Sequence, residues 1–316
     1  MASPTDSRAP RRSALSPTLR GVLYGLLGAF FSACFLIPWK LATQHGEARH
    51  ATLILLASAA LFSSLAIVPT HNERTPPLAL VPTLKLAAGL AALSLAGNRF
   101  SAESVHRVSG ALLAVLQRCE VLVVGLLAPL LLGERARPSF WLGSAVAVCG
   151  LVVLSTRAGA ELGIGPDADT VGVLCGLASA VCFGTMNVFT RKHIRGLRPV
   201  LLNALRLWLG VVLWFAIERE LPVGALNGSL VMYAALAAFF GPFLSRLSVM
   251  QSAHHVPAST TVLAQLIVPP TTLLLGFAML GTLPSAHELM GGAIMLVGVA
   301  IPVLHALRED RVVRSA

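Results

Sequence analysis

The sequence predicts an all-α integral membrane protein, with ten transmembrane helices arranged as two inverted five-helix repeats. Three observations lead there. Of 316 residues, 55% are hydrophobic and only 12% charged, about half the roughly 25% charge of a soluble domain. Apolar runs near the roughly 20 residues needed to cross a bilayer recur along the chain. The two halves also resemble each other in register.

The apolar runs cover roughly 21–39, 51–69, 78–97, 104–132, 139–156, 171–190, 199–217, 229–250, 256–280 and 286–306. Prolines, glycines and charges punctuate them, as in His71–Pro77 and Gly133–Pro138, because these residues end helices. The expected organisation is a basic N-terminal tail (1–20), a first repeat (21–156), a linker loop (157–170), a second repeat (171–306) and a C-terminal tail (307–316). The first run lacks an A-x-A cleavage site and reads as a retained span rather than a signal peptide.

The formal charge of +10 does not point to nucleic acid. The basic residues lie at the ends of apolar runs instead of forming one polar face. With the N-terminus in the cytoplasm, fourteen of the 24 Lys and Arg fall in cytoplasmic segments, six in outer loops and four inside spans. This bias places both termini inside, in a bacterial-type inner membrane. The five cysteines all lie in apolar runs without a C-x-x-C pair and read as small core residues.

The repeat is visible position by position. Gly21, Gly25, Ala29 and Ala33 match Gly172, Gly176, Ala180 and Gly184. His106, Val108, Gln117, Leu132 and Gly133 match His254, Val256, Gln265, Leu280 and Gly281, and Gly143, Ala145 and Gly150 match Gly291, Ala293 and Gly298. Small residues four apart let helices approach closely in lipid. Five spans per half reverse the orientation of the second half, an arrangement typical of transporters with a midplane site.

The Leu130–Arg135 pattern LLLGER and the following WLGSAVAVCGLVVL at 141–154 resemble the EamA branch of the drug/metabolite transporter superfamily. LLLGFAMLGT at 273–282, LMGGAIMLVGVAI at 289–301 and ALRLWLG at 204–210 add to the resemblance. It implies ten helices, both ends cytoplasmic, and alternating access around a central cavity. Helices 5 and 10 would lie peripherally as a candidate homodimer contact. The departures are Thr282 opposite Glu134, Val121 opposite Pro269 and Leu55 opposite Arg206, so the site should be asymmetric.

Ionisable groups inside spans are functional candidates, because each costs roughly 2.5–3.5 kcal/mol to insert. Lys85, Arg206 and Arg246 can snorkel or find structural partners. Arg118 and Glu120 fall near the middle of the fourth run. Two residues apart, they sit about 200° apart on a helix and are expected to face away from each other. Gln117 is expected to share the Glu120 face. Glu120 is either a proton- or cation-coupling group or a fixed ion pair with Lys85 or Arg206; Arg118 suits a carboxylate or phosphate. Pro269 and Pro270 remove two N–H donors and should free carbonyls near Gln265 and Leu266, which is tolerated only inside protein or beside a wet cavity.

The candidate cavity or coupling set is therefore Arg118, Glu120, Gln117, Gln265, Pro269, Pro270, Arg206 and Lys85. Trp39, Trp141 and Trp214 suit an interfacial belt. No cofactor or metal is expected, since His254 and His255 lack a third ligand. No H-E-x-x-H, P-loop or G-x-S-x-G motif suggests an enzyme. The expected function is a gradient-driven secondary transporter, an exporter of a small metabolite such as an amino acid. The excess of deep cations favours an anionic group on the substrate. A non-transporting membrane scaffold or receptor subunit is the alternative.

Overall fold

The computed structural model describes residues 16–67, 80–107, 116–134, 137–155, 170–219, 227–280 and 286–315. The expected break at 71–77, most of the N-terminal tail and nearly all of the linker lie outside them. The described residues are helical and contain no strand. The elements are α1 (Pro17–Gln44), α2 (Ala48–Leu65), α3 (Leu80–Arg107), α4 (Glu120–Leu132), α5 (Pro138–Ser155), α6 (Thr170–His193) and α7 (Pro199–Glu218). They continue as α8 (Gly228–Ala238), a π-helical stretch (Phe239–Ser245), α9 (Arg246–His255), α10 (Ala258–Gln265), α11 (Val268–Leu280) and α12 (Ala286–Ser315).

Local chemistry sets several boundaries. Ser16 caps α1, its hydroxyl accepting from the Leu19 N–H at 3.0 Å, with Pro17 at the first helical position. Asn227 caps α8 in the same way through the Leu230 N–H. Gly133 ends α4 at φ 68°, the left-handed conformation that glycine adopts without a Cβ clash. Arg191, Lys192 and His193 sit in the last turn of α6, where the helix dipole favours positive charge.

Among the described residues, four stretches are long and apolar enough to cross a membrane: Pro17–Gln44, Thr170–His193, Pro199–Glu218 and Gly228–His255. Arg49–Leu65, Pro138–Val153 and Leu289–His305 are shorter apolar helices. The eighth run thus continues through the π-helical stretch and α9. The fourth and ninth runs fall short as single helices because each is interrupted. The fourth was expected from residue 104, but α3 claims the chain to Arg107, and helix reappears at Leu116. Polarity is inverted relative to a soluble protein. Leu126, Leu130, Leu142, Leu174, Val212 and Ile217 are exposed, whereas Glu120, Asn203 and Arg206 are buried. Trp214 is also buried, packed with Leu207, Val211 and Ala237, so it does not join an interfacial belt.

Contacts between the halves obey an approximate two-fold relation. A Cβ on Gly25 would meet Ala264 and Ser252, and one on Gly176 would meet Leu116 and Ser104, the same positions 148 residues earlier. α5 and α12 pack along each other with backbones nearly touching. A Cβ on Gly143 would lie 2.5 Å from the Gly298 carbonyl oxygen, and one on Gly150 would lie 2.8 Å from that of Gly291. The two helices therefore run antiparallel, with Ala147 and Met295 near the centre of the contact.

Candidate functional site

Both interrupted helices break at equivalent positions. Before α4, the Cys119 N–H bonds the Leu116 carbonyl at 3.1 Å; after α10, the Ile267 N–H bonds the Ala264 carbonyl at 3.3 Å. Each is a tight three-residue step in place of the four-residue helical bond. In the second half the reason is plain. Pro269 cannot donate to the Gln265 carbonyl, and Pro270 cannot donate to that of Leu266. The expected break thus appears at Leu266 and Ile267.

Arg118 occupies the freed acceptor. Its Nη1 donates to the Gln265 carbonyl at 3.2 Å and lies 3.4 Å from Glu120 Oε1. This corrects the expectation that Arg118 and Glu120 face apart. The turn at Cys119 interrupts the 3.6-residue periodicity on which that angle depended, so the two side chains converge. Gln117 does not share the Glu120 environment. Its Nε2 donates to Ser101 Oγ at 2.8 Å and lies 3.4 Å from Ser179 Oγ, between α3 and α6. Gln265 Nε2 donates to the Gly25 carbonyl at 3.1 Å, tying the break to α1.

Arg206, 3% exposed, donates to Ser94 Oγ at 2.9 Å and Asn203 Oδ1 at 2.8 Å. Asn203 is held in turn by donating to Ser63 Oγ and the Pro242 carbonyl, both at 3.0 Å. Arg246 does not snorkel. Because its helix continues to His255, it lies well inside the span, and it donates to Asn187 Oδ1 at 2.6 Å and Thr190 Oγ1 at 3.3 Å on α6. The Glu120 carboxylate interacts electrostatically with both Arg118 and Arg246. Lys85 stays on an exposed face of α3 and does not join this group. Sequence reasoning missed Asn187, Thr190 and Asn203, because neutral polar residues carry no distinctive signal in a membrane helix.

Glu134 joins three elements at the end of the bundle where α1 begins. Its Oε1 pairs with Arg191 Nε at 2.8 Å, and its Oε2 accepts from the Ala258 N–H at 3.1 Å, capping α10. Arg191 also donates to the Ala253 carbonyl at 2.5 Å. Close by, Gly21 abuts Val256 and Tyr24 stacks on His255. At the opposite end a cavity of about 700 Å³ lies between α2, α3 and α7, lined by Thr52, Leu95, Trp214 and the charged Arg99, Glu103 and Glu218. Arg99 pairs with Glu218 at its edge. Among the described residues, the bundle is thus cross-linked at one end, holds a cavity at the other, and is charged between.

A model of the EamA-like transporter family matches residues 19–156 and 170–304. The chain belongs to this family. Its apolar helices make it a multi-pass membrane protein, and its two matched segments are the two halves compared above. The "Probable terminal-alkyne amino-acid exporter" of Streptantibioticus cattleyicolor is 27% identical over 180 residues, 56% of this chain and 58% of the relative. The match therefore spans little more than half of that relative's length. A protein of known crystal structure shares the fold, with a TM-score of 0.73 at 19% identity over 91% of this chain and 98% of that one.

Proposed function

We propose that the chain is a secondary transporter that exports a small metabolite, such as an amino acid, by alternating access between two inverted five-helix repeats. The single observation that carries this is the pair of matched helix breaks joined by Arg118. Broken helices inside a bilayer leave backbone groups free to serve a ligand or an ion. Ten spans, with both termini cytoplasmic, accommodate every apolar run and the bias of the basic residues. The antiparallel packing of α5 against α12 supports the inversion. On this reading the end tied by Glu134 and Arg191 faces the cytoplasm and the cavity opens outward. Glu120, beside Arg118 and within reach of Arg246, is the coupling group. The named exporter among the relatives supports both the direction and the amino-acid class.

The test is uptake and efflux of a metabolite panel in proteoliposomes, with and without a pH gradient, for the wild type, Arg118→Ala and Glu120→Gln at matched incorporation. Gradient-driven movement of one solute class, lost in Arg118→Ala, is the expected result. Glu120→Gln should weaken solute exchange, and what exchange remains should no longer respond to the gradient. A correctly folded wild type that moves nothing across a broad panel would sink the proposal.

A further inference from the structure

Among the described residues, four charged side chains, Arg118, Glu120, Arg206 and Arg246, lie between the two ends of the bundle, and they do not balance. Glu120 is matched by Arg118. Arg206 and Arg246 are met at hydrogen-bonding distance by neutral groups: Ser94, Met186 and Asn203 for the first, Asn187 and Thr190 for the second. Such groups satisfy N–H donors but do not neutralise a guanidinium. In each of the two arginines the Nε–H is buried with no acceptor among the described residues. Both lean on the same stretch of α6, since Met186 and Asn187 are adjacent and Thr190 lies one turn further on. The two cations are near enough to repel each other, and a low-dielectric interior strengthens that repulsion.

We propose that Arg206 and Arg246 form a subsite for the carboxylate of the transported molecule, resting on the transporter reading above. The chemistry favours this ligand for three reasons. Guanidinium groups bind planar carboxylates through paired, charge-assisted N–H donors, and each arginine keeps one such donor free. A carboxylate placed beside α6 relieves a repulsion that Glu120 alone compensates only in part. The remaining acid, Glu120, interacts with Arg246 and can face a cationic group on the same molecule. The arrangement therefore suits an amino acid, with its carboxylate toward Arg206 and Arg246 and its ammonium toward Glu120. The asymmetry noted in the sequence follows from this. Arg206 has Leu55 as its counterpart, so the second half supplies both carboxylate-binding cations.

The experiment compares L-alanine, L-leucine and L-phenylalanine with their primary amides, by binding and by counterflow, in purified wild-type protein reconstituted in lipid. The amides keep the ammonium and side chain but lose the carboxylate. At least one acid should bind tenfold or more tightly than its amide. Arg206→Gln and Arg246→Gln should each bring that ratio close to one, and Arg246→Lys should restore part of it. Variants are compared only where size-exclusion profiles match the wild type. If a variant fails to fold, the acid-to-amide ratio of the wild type still decides. A wild type that binds acids no better than amides, or binds neither, overturns the subsite. So do folded variants that keep the full ratio. Gradient-driven transport without carboxylate preference would overturn the subsite while leaving the transporter standing. Absence of any driven transport would remove the transporter reading itself.

Discussion

The two halves place the same backbone event in the same register and fill it with different chemistry. In the second half the break at Leu266–Ile267 is written by Pro269 and Pro270, and the apolar Leu266 and Val268 stand at the positions equivalent to Arg118 and Glu120. In the first half the break at Cys119 has no proline, and its flanks are Arg118 and Glu120. One half exposes a carbonyl, and the other supplies the guanidinium that meets it at 3.2 Å. At the end of α4, Glu134 then caps the start of α10; its counterpart Thr282 lies outside the described residues. Approximate symmetry thus builds the scaffold, and departures from it build the site.

Breaking the symmetric part should have the largest effect. Gly150→Leu and Gly298→Leu both drive a side chain into backbone atoms of the facing helix, at 2.6 Å and 2.5 Å from the nearest. Helix backbone cannot yield as a side chain can, so each should cost about 3 kcal/mol or more. Thermal unfolding in detergent should show near-equal losses for the two. A large loss for one alone would mean the contact is not symmetric.

Breaking the asymmetric part comes next. Arg118→Met strips the Gln265 carbonyl of its donor and Glu120 of its nearest cation. A destabilisation of about 2 kcal/mol is expected, with driven transport down on the order of 100-fold, since the group lies where the breaks meet. Near-wild-type transport in a folded Arg118→Met protein would separate the breaks from function.

Glu134→Gln is milder. The amide oxygen can still accept from Ala258, but the charge facing Arg191 is gone, a change of about 1 kcal/mol at a partly exposed site. In a background without the five native cysteines, a cysteine at Ala258 should react with a thiol reagent several-fold faster. Unchanged labelling would show that the tie does not hold this end closed. Lys85→Gln, on an exposed face, should change stability by less than about 0.5 kcal/mol and leave transport intact. A loss of transport there would mean that the exposed face of α3 takes part after all.

How much of this the sequence revealed depended on whether a single residue type carries the information. The glycine spacing did, because only missing side chains permit backbone contact, and Gly25 with Gly176 and Gly143 with Gly298 behave accordingly. Pro269 and Pro270 did too, since a missing N–H acts locally. The break at Cys119 left no trace in composition: Arg118, Cys119 and Glu120 are all compatible with a helix. The helical angle therefore separated two side chains that in fact meet. Arg246 was misplaced because Ser248, Gln251, Ser252, His254 and His255 masked the continuation of its helix. Its partners Asn187 and Thr190 come from another helix some sixty residues away, and no local pattern announces them. Glu134 was visible as part of a motif, but its role as a cap for α10 emerged only from the packing.

The antiparallel seam between α5 and α12 also has a consequence for biogenesis. Gly143 and Gly150 are synthesised well before their partners Gly298 and Gly291, each pair being more than 140 residues apart. At translation rates of about 5–20 residues per second, α5 waits on the order of ten seconds with its bare groove open to lipid or to a chaperone. The seam cannot close until α12 arrives, and any ribosome that stops before residue 286 releases a chain whose seam has only one side.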